Sequence, residues 1–183
     1  MALTLAGQLR IQAHANRLAN HRLHRAMAAL GEAEFQAPRA SFFGSIAATL
    51  NHLLAVDQYY IGALHVDPGL PQRYAAFVPA ATLAELAPRQ RDSDERLIAW
   101  CDRLDAAGCD RMVDMDRGRE VQRDRAAHVL AHLFMHQTHH RIRERRPGHS
   151  RGLRQLQTTV RILNIFHHLH QVLADLADGG RGV

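Results

Sequence analysis

The sequence is poor in cysteine: Cys101 and Cys109 are the only two in 183 residues. Two thiols cannot build a disulfide framework, which excludes a small cross-linked secreted scaffold. Both are expected as buried or idle thiols. No stretch approaches the roughly 18 apolar residues of a membrane span, and Met1-Ala2-Leu3-Thr4 lacks the basic start and apolar run of an export signal. The expectation is a soluble cytoplasmic protein without a membrane partner. A Gly-rich phosphate loop and a GxSxG turn are also missing, so two common enzyme readings lose their support. There is no internal repeat.

What is present is an ordinary apolar fraction, 46%, on a chain long enough for one filled core and too short for two comfortable domains. The formal charge is +5 and the pI about 10.2, which by itself would suit a nucleic-acid partner. However, seven arginines fall between Arg141 and Arg161, and no nucleic-acid motif accompanies them. A solvated helix face is the simpler reading, and no nucleic-acid partner is expected. The 14 histidines point towards metals, and they also multiply accidental HxxxH pairs.

Helical periodicity dominates the chain. A first helix runs from Thr4 to about Leu30, with Asn16 and Asn20 on its inward stripe and Gly31 as its stop. The two asparagines either tie neighbouring helices by hydrogen bonds or support a metal site from behind. Ser41 is the expected N-cap of a second helix reaching about Leu64, which carries His52, Asp57 and the pairs Phe42-Phe43 and Tyr59-Tyr60. Asp67-Pro68-Gly69 turns the chain into a loop ending near Pro79. Thr82 and Glu85 form a capping box for a short piece before Pro88, and a third long helix is expected from Arg89 to Ala107, stopped by Gly108. Asp110 to Val121 reads as a connector with room for a short hairpin. A fourth helix starts near Arg123 or Asp124 and runs to Pro147, and a fifth covers Leu153 to Leu176. Four long helices without a strand pattern predict an all-α four-helix bundle with an additional C-terminal helix.

On the fourth helix, His132, His136 and His140 recur at four-residue steps. Such residues lie on nearly one face, so neighbouring imidazoles can converge on one ion. Each step drifts about 40° around the axis; His128, His132, His136 and His140 therefore cannot all reach it. His139, about 100° from His140, points elsewhere. The third ligand is sought in His52, a polar residue among Leu50, Leu53 and Leu54, which is either on the wet edge of that stripe or buried for a reason. Spacing alone leaves convergence of the three open against surface or singly satisfied histidines. His167, His168 and His170 read as a solvated face.

Three segments carry a resemblance. Ala15-Asn16-Arg17-Leu18-Ala19-Asn20 resembles the Asn-rich opening motif of the DinB family of metal-binding four-helix bundles. Phe42 through Leu54, followed by Asp57, is similar to its second-helix motif. His132-Leu133-Phe134-Met135-His136-Gln137-Thr138-His139-His140-Arg141 resembles its fourth-helix motif. Order and separation agree over roughly residues 10 to 141. The aromatic residues common in the first motif are Ala15 and Leu18 here, and Ile142-Arg143-Glu144-Arg145-Arg146-Pro147 replaces the usual continuation. The resemblance implies a DinB-like bundle over residues 1–147, followed by an unmatched helical extension over 148–183. It implies a divalent metal held by one His of the second helix and two of the fourth, which by motif position are His52, His136 and His140. Zn or Ni heads the list of candidate ions, with Fe and Mn after them.

Some members of the family are thiol-dependent transferases or isomerases using bacillithiol or mycothiol. A metal-dependent S-transferase or isomerase taking a small-molecule substrate and a low-molecular-weight thiol is therefore one expectation, with no catalytic side chain identified. A non-catalytic, DNA-damage-inducible stress-response bundle is the other. A homodimer is expected in either case.

Overall fold

The Thr4 hydroxyl accepts the Gly7 N–H at 3.1 Å and opens α1, Leu5–Leu30. Its buried residues, Ala6, Leu9, Ala13, Asn16, Asn20, Leu23 and Met27, alternate in steps of three and four, which is the stripe of a helix packed along its whole length. Gly31, at φ 84°, ends it with a backbone angle that side chains resist. The chain then forms α2, Glu32–Gln36, a single turn that buries Phe35. The structure, a computed structural model, describes residues 3–40 and 42–144. Expectations for Ser41, for the end of the fourth helix at Pro147, for the fifth helix and for His167, His168 and His170 lie outside the described residues.

The second long helix, α3, spans Ile46–His65 and is capped by Ser45, whose Oγ accepts from Ala48 N–H at 3.0 Å. It thus starts four residues later than a cap at Ser41 would place it, and Phe42 and Phe43 precede it in a turn. Most of its residues are buried, as expected of a helix enclosed on several sides. After Asp67-Pro68-Gly69 the expected loop contains a short helix, α4, Leu70–Ala75.

Asn51 pins the rest of that loop. Its side chain accepts from Ala80 N–H at 2.7 Å and donates to the Ala80 carbonyl at 3.0 Å. Asn51→Ala would strand both buried backbone groups, so we expect it to destabilise the protein by about 2 kcal/mol, read as a lower urea midpoint at unchanged slope. An unchanged midpoint would show that the loop finds other partners.

The third long helix, α5, spans Leu83–Asp102 without a break. This corrects the division at Pro88: Pro88 and the carbonyl-bearing residue it cannot bond, Ala84, both lie on the exposed face, where water satisfies the lost acceptor. Thr82 caps it as expected, accepting from Glu85 N–H at 3.2 Å. It also stops earlier than Ala107, and Gly108 is no stop. Asp105 caps a further short helix, α6, Ala106–Asp110, by accepting from Gly108 N–H at 2.7 Å.

The connector is a hairpin of β1, Met112–Asp116, and β2, Val121–Arg125, paired antiparallel with Val113 opposite Asp124 and Met115 opposite Gln122. Val113 and Met115 point into the core and their neighbours out, so burial sets the register. Because β2 runs to Arg125, the last described helix, α7, begins at Ala126 rather than at 123 or 124 and is described to Glu144.

The described chain is thus mostly helical. α1 and α3 each pack on both α5 and α7. The apolar core falls into two clusters. One holds Leu9, Ala13, Ile61, Leu97, Leu130 and Leu133, and the other Leu23, Met27, Phe35, Leu50, Leu54 and Leu86. Along α1, α3 and α5 the residues at the changeover are polar and buried: Asn16, Asn20, Asp57, Gln90 and Asp94. Among the described residues no helix is long and apolar enough to cross a membrane.

Candidate metal centre

The interval of four residues on α7 brings the rings of His136 and His140 to 4.6 Å between centroids. From α3, His52 approaches both, with centroids 5.1 Å from each. One nitrogen of every ring falls within 4.8 Å of those of the other two. The structure therefore brings together the three residues that the motifs singled out. His128 instead pairs with Asp124 at 2.8 Å. His132 lies 6.3 Å from His136 and nearly parallel to it, outside the group, and His139 is also outside it.

Nε2 of His52 and Nε2 of His136 are 3.1 Å apart. Two imidazoles share such a contact only when one donates and the other accepts, whereas a cation takes a lone pair from both. Ligand atoms of tetrahedral zinc at 2.0–2.1 Å from the ion are roughly 3.4 Å apart, so this pair needs little adjustment. Nδ1 of His136 is buried without a hydrogen-bond partner, a desolvated atom of the kind that an ion or its supporting groups would satisfy. Burial pushes the His136 ring down to about 2, with His140, His52, His132 and His139 adding to the effect. Burial lowers His52 as well. Neutral imidazole is the form that binds metal. Among the described residues no fourth His, Cys, Asp or Glu joins the group. A three-donor set leaves positions for water or a ligand, as in catalytic rather than structural zinc sites.

Phe43 supports the cluster: its ring stacks on His52 at 4.3 Å and 28°, and lies 5.4 Å from His140. The later start of α3 makes this contact possible, because Phe43 sits in the turn before the helix.

Behind the histidines, the polar residues between the two apolar clusters close into a ring across all four long helices. Gln90 Nε2 donates to Asp57 Oδ2 at 2.8 Å and reaches Asp94 Oδ1 at 3.4 Å. Asn20 and Asn16 donate to the same Asp94 oxygen at 2.9 and 3.3 Å. Their own carbonyls accept from Arg141 Nη1 at 2.8 and 2.6 Å, and Arg141 continues to Gln137 Oε1 at 3.1 Å. Gln137 Nε2 completes the ring on Asp57. The hydrogen-bonding reading of Asn16 and Asn20 and the structural reading of Asp57 are thus what the contacts display. The sequence assigns no role to Gln90 or Asp94, and it carries Gln137 and Arg141 only as letters of the fourth-helix motif.

This ring holds two carboxylates against one guanidinium. Burial, the largest influence, pushes Asp57 up to about 7 and Asp94 up to about 6, against the pull of their amide donors. Its value to the site is geometric. Gln137 and Arg141 each follow a cluster histidine by one residue, about 100° further round α7. Fixing those two side chains fixes the rotation of α7 and aims His136 and His140.

A cavity of about 430 Å³ adjoins the cluster, lined by His136, His132 and Arg117 of the hairpin turn among others. A larger one, about 750 Å³, touches Asn20 and Asp94 of the ring but none of the three histidines; the smaller is the one placed for chemistry at the cluster.

The family model described as DinB family matches residues 11–142, more than half of the chain. No curated protein matches it.

Proposed function

The chain belongs to the DinB family, and from that premise we propose that it is a divalent-metal protein whose ion is held by His52, His136 and His140 in a DinB-type four-helix bundle. The observation that carries this reading is the meeting of three imidazole donors within 4.8 Å on two different helices. A bound divalent ion would supply Lewis acidity, lowering the pKa of a coordinated water or thiol. The residues around it have separate tasks. The neutral rings of His52 and His136 offer lone pairs, Phe43 keeps His52 in place and limits water on that side, and the buried ring holds α7 in register.

The enzymatic form of this reading is a metal-dependent S-transferase or isomerase using a low-molecular-weight thiol. A cavity lined by His136 of the three-His set supports it. Non-catalytic metal binding in a stress response is favoured by a different observation. Asp57 Oδ2 accepts from both Gln90 and Gln137 in the core, and among the described residues no carboxylate joins the three histidines to serve as a base. Zn or Ni heads the candidate ions, ahead of Fe and Mn, because an all-imidazole set suits them. Family resemblance further supports a cytoplasmic homodimer, and light scattering on the purified protein reads that state directly.

Elemental analysis of protein purified without added metal is expected to give one divalent ion per chain, removed by chelator. Protein that takes up none under any loading would overturn the metal reading. Loaded protein assayed with an electrophile and several small thiols then separates the two forms. Turnover lost on chelation supports the enzyme, and no turnover with any thiol supports the binding role.

A further inference from the structure

We propose that the cavity beside His136 is a substrate pocket for a small anion, a carboxylate or phosphate carried on an apolar or aromatic body, with the charged end held by Arg117. The assignment of the rest of the ligand as its reacting part rests on the metal reading above; the anion site does not.

Arg117 is built into the hairpin turn. Its N–H donates to the Glu120 carbonyl at 2.9 Å, and Gly118, at φ 83°, donates to Asp116 Oδ1 at 2.8 Å. The Arg117 guanidinium lies over Tyr59, 4.9 Å from the ring centroid, and 5.4 Å from that of Tyr60. Nη2 donates to Tyr60 Oη at 3.0 Å and to Gln122 Oε1 at 3.3 Å. Every one of these partners is neutral. Elsewhere on the hairpin Arg123 pairs with Asp114 at 2.6 Å and Arg125 with Asp110 at 3.5 Å, but among the described residues no carboxylate reaches Arg117. Its face lies over tyrosine, and among the described residues the remaining N–H edge has no acceptor, which is the presentation in which a guanidinium receives a carboxylate or phosphate in bidentate fashion.

The walls suit a flat or apolar body. Tyr59 meets Tyr60 and Tyr74 edge-on, each at 5.5 Å, and Val56, Pro71 and Ala75 add apolar lining. Asp116 lines it too, with its Oδ1 taken up by the Gly118 N–H of the turn. Tyr59 also anchors the turn, donating to the Asp116 carbonyl at 2.7 Å, so the aromatic wall and the cation are held by one another. A volume of about 430 Å³ is within the range of small-molecule pockets. Arg117 and His136 both line the pocket, so an anion held at the hairpin leaves the body of the ligand within the same cavity as the histidine.

The test uses the full chain, zinc-loaded and chelator-treated, titrated by calorimetry with benzoate and phenyl phosphate against the neutral benzamide and benzyl alcohol. The anions are expected to bind more tightly than their neutral counterparts, with affinity falling as salt rises. Arg117→Gln should weaken anion binding by about 10–100-fold and leave zinc content and circular dichroism unchanged, with Arg117→Lys intermediate. Equal binding of anion and neutral analogue, or equal anion affinity in Arg117→Gln, would overturn the proposal. The metal reading fails separately: Arg117-dependent anion binding by a protein that takes up no zinc keeps the pocket and removes the metal. Zinc uptake without any Arg117-dependent preference does the reverse.

Discussion

Replacing His136 by alanine is expected to abolish tight metal binding while leaving a folded protein. Loss of a residue that merely supports a ligand costs about 10–100-fold in affinity; loss of one of three ligands should exceed that, about 10³-fold or more. The same variant should fold in the metal-free state, because it removes a ring whose Nδ1 is buried without a partner and whose burial disfavours charge. Thermal melts with and without zinc therefore give a clean comparison. At a metal concentration 1,000 times the dissociation constant the wild type gains about 4 kcal/mol, and His136→Ala should gain almost none of it. His52→Ala and His140→Ala should behave alike, whereas His132→Ala, which removes a ring 6.3 Å away and outside the group, should keep the full shift. An unaltered zinc shift in His136→Ala would place the ion elsewhere.

That asymmetry between His132 and His136 could not be read from spacing, which treats the whole HxxxH row alike. What separates them is the rotation of α7, set by Gln137 and Arg141 through hydrogen bonds to Asp57 of α3 and to Asn16 and Asn20 of α1. Local signals were legible: the three-four stripe of α1, its Thr4 cap, the Thr82 cap of α5 and the alternation of Val113 and Met115 all act within a few residues of themselves. His52 was legible because its motif accompanies those of the asparagines and of α7, and a resemblance of motifs carries the partnership that a single helix does not. The two misplacements on α5 share a cause. Residue type marks Pro88 and Gly108 as breakers, but a proline on an exposed face lacks only a donor whose acceptor water satisfies, and Asp105 restarts a turn through Gly108. The polar ring was illegible for the opposite reason. Gln90, Asp94 and Gln137 look like solvated positions until tertiary packing buries them between two apolar clusters, and their four-residue pairings, Gln90 with Asp94 and Gln137 with Arg141, are those of any solvated helix face.

The ring should also leave a mark on the pH dependence of folding. Asp57 is held at about 7 in the native state, chiefly by burial, against its ordinary 3.8. A carboxyl raised in this way binds its proton more tightly folded than unfolded. Stability therefore falls as pH rises above about 4, continues to fall until Asp57 ionises near 7, and is flat beyond. Linkage over that interval gives a loss of about 3 kcal/mol between pH 5 and pH 8 from this residue. Asp57→Asn keeps an oxygen to accept from Gln90 and Gln137 but has no proton to lose. Urea unfolding of metal-free wild type and variant across that range should show the variant losing about 3 kcal/mol less, while the surface histidines titrate equally in both and cancel. Asp94, pushed up to about 6, leaves a residual slope in each. Parallel curves would mean that Asp57 stays ionised throughout, with Arg141 compensating it across Gln137. In that case the ring would be a buried ion-pair network rather than a proton-holding one, and the excess negative charge would have to be sought at Asp94.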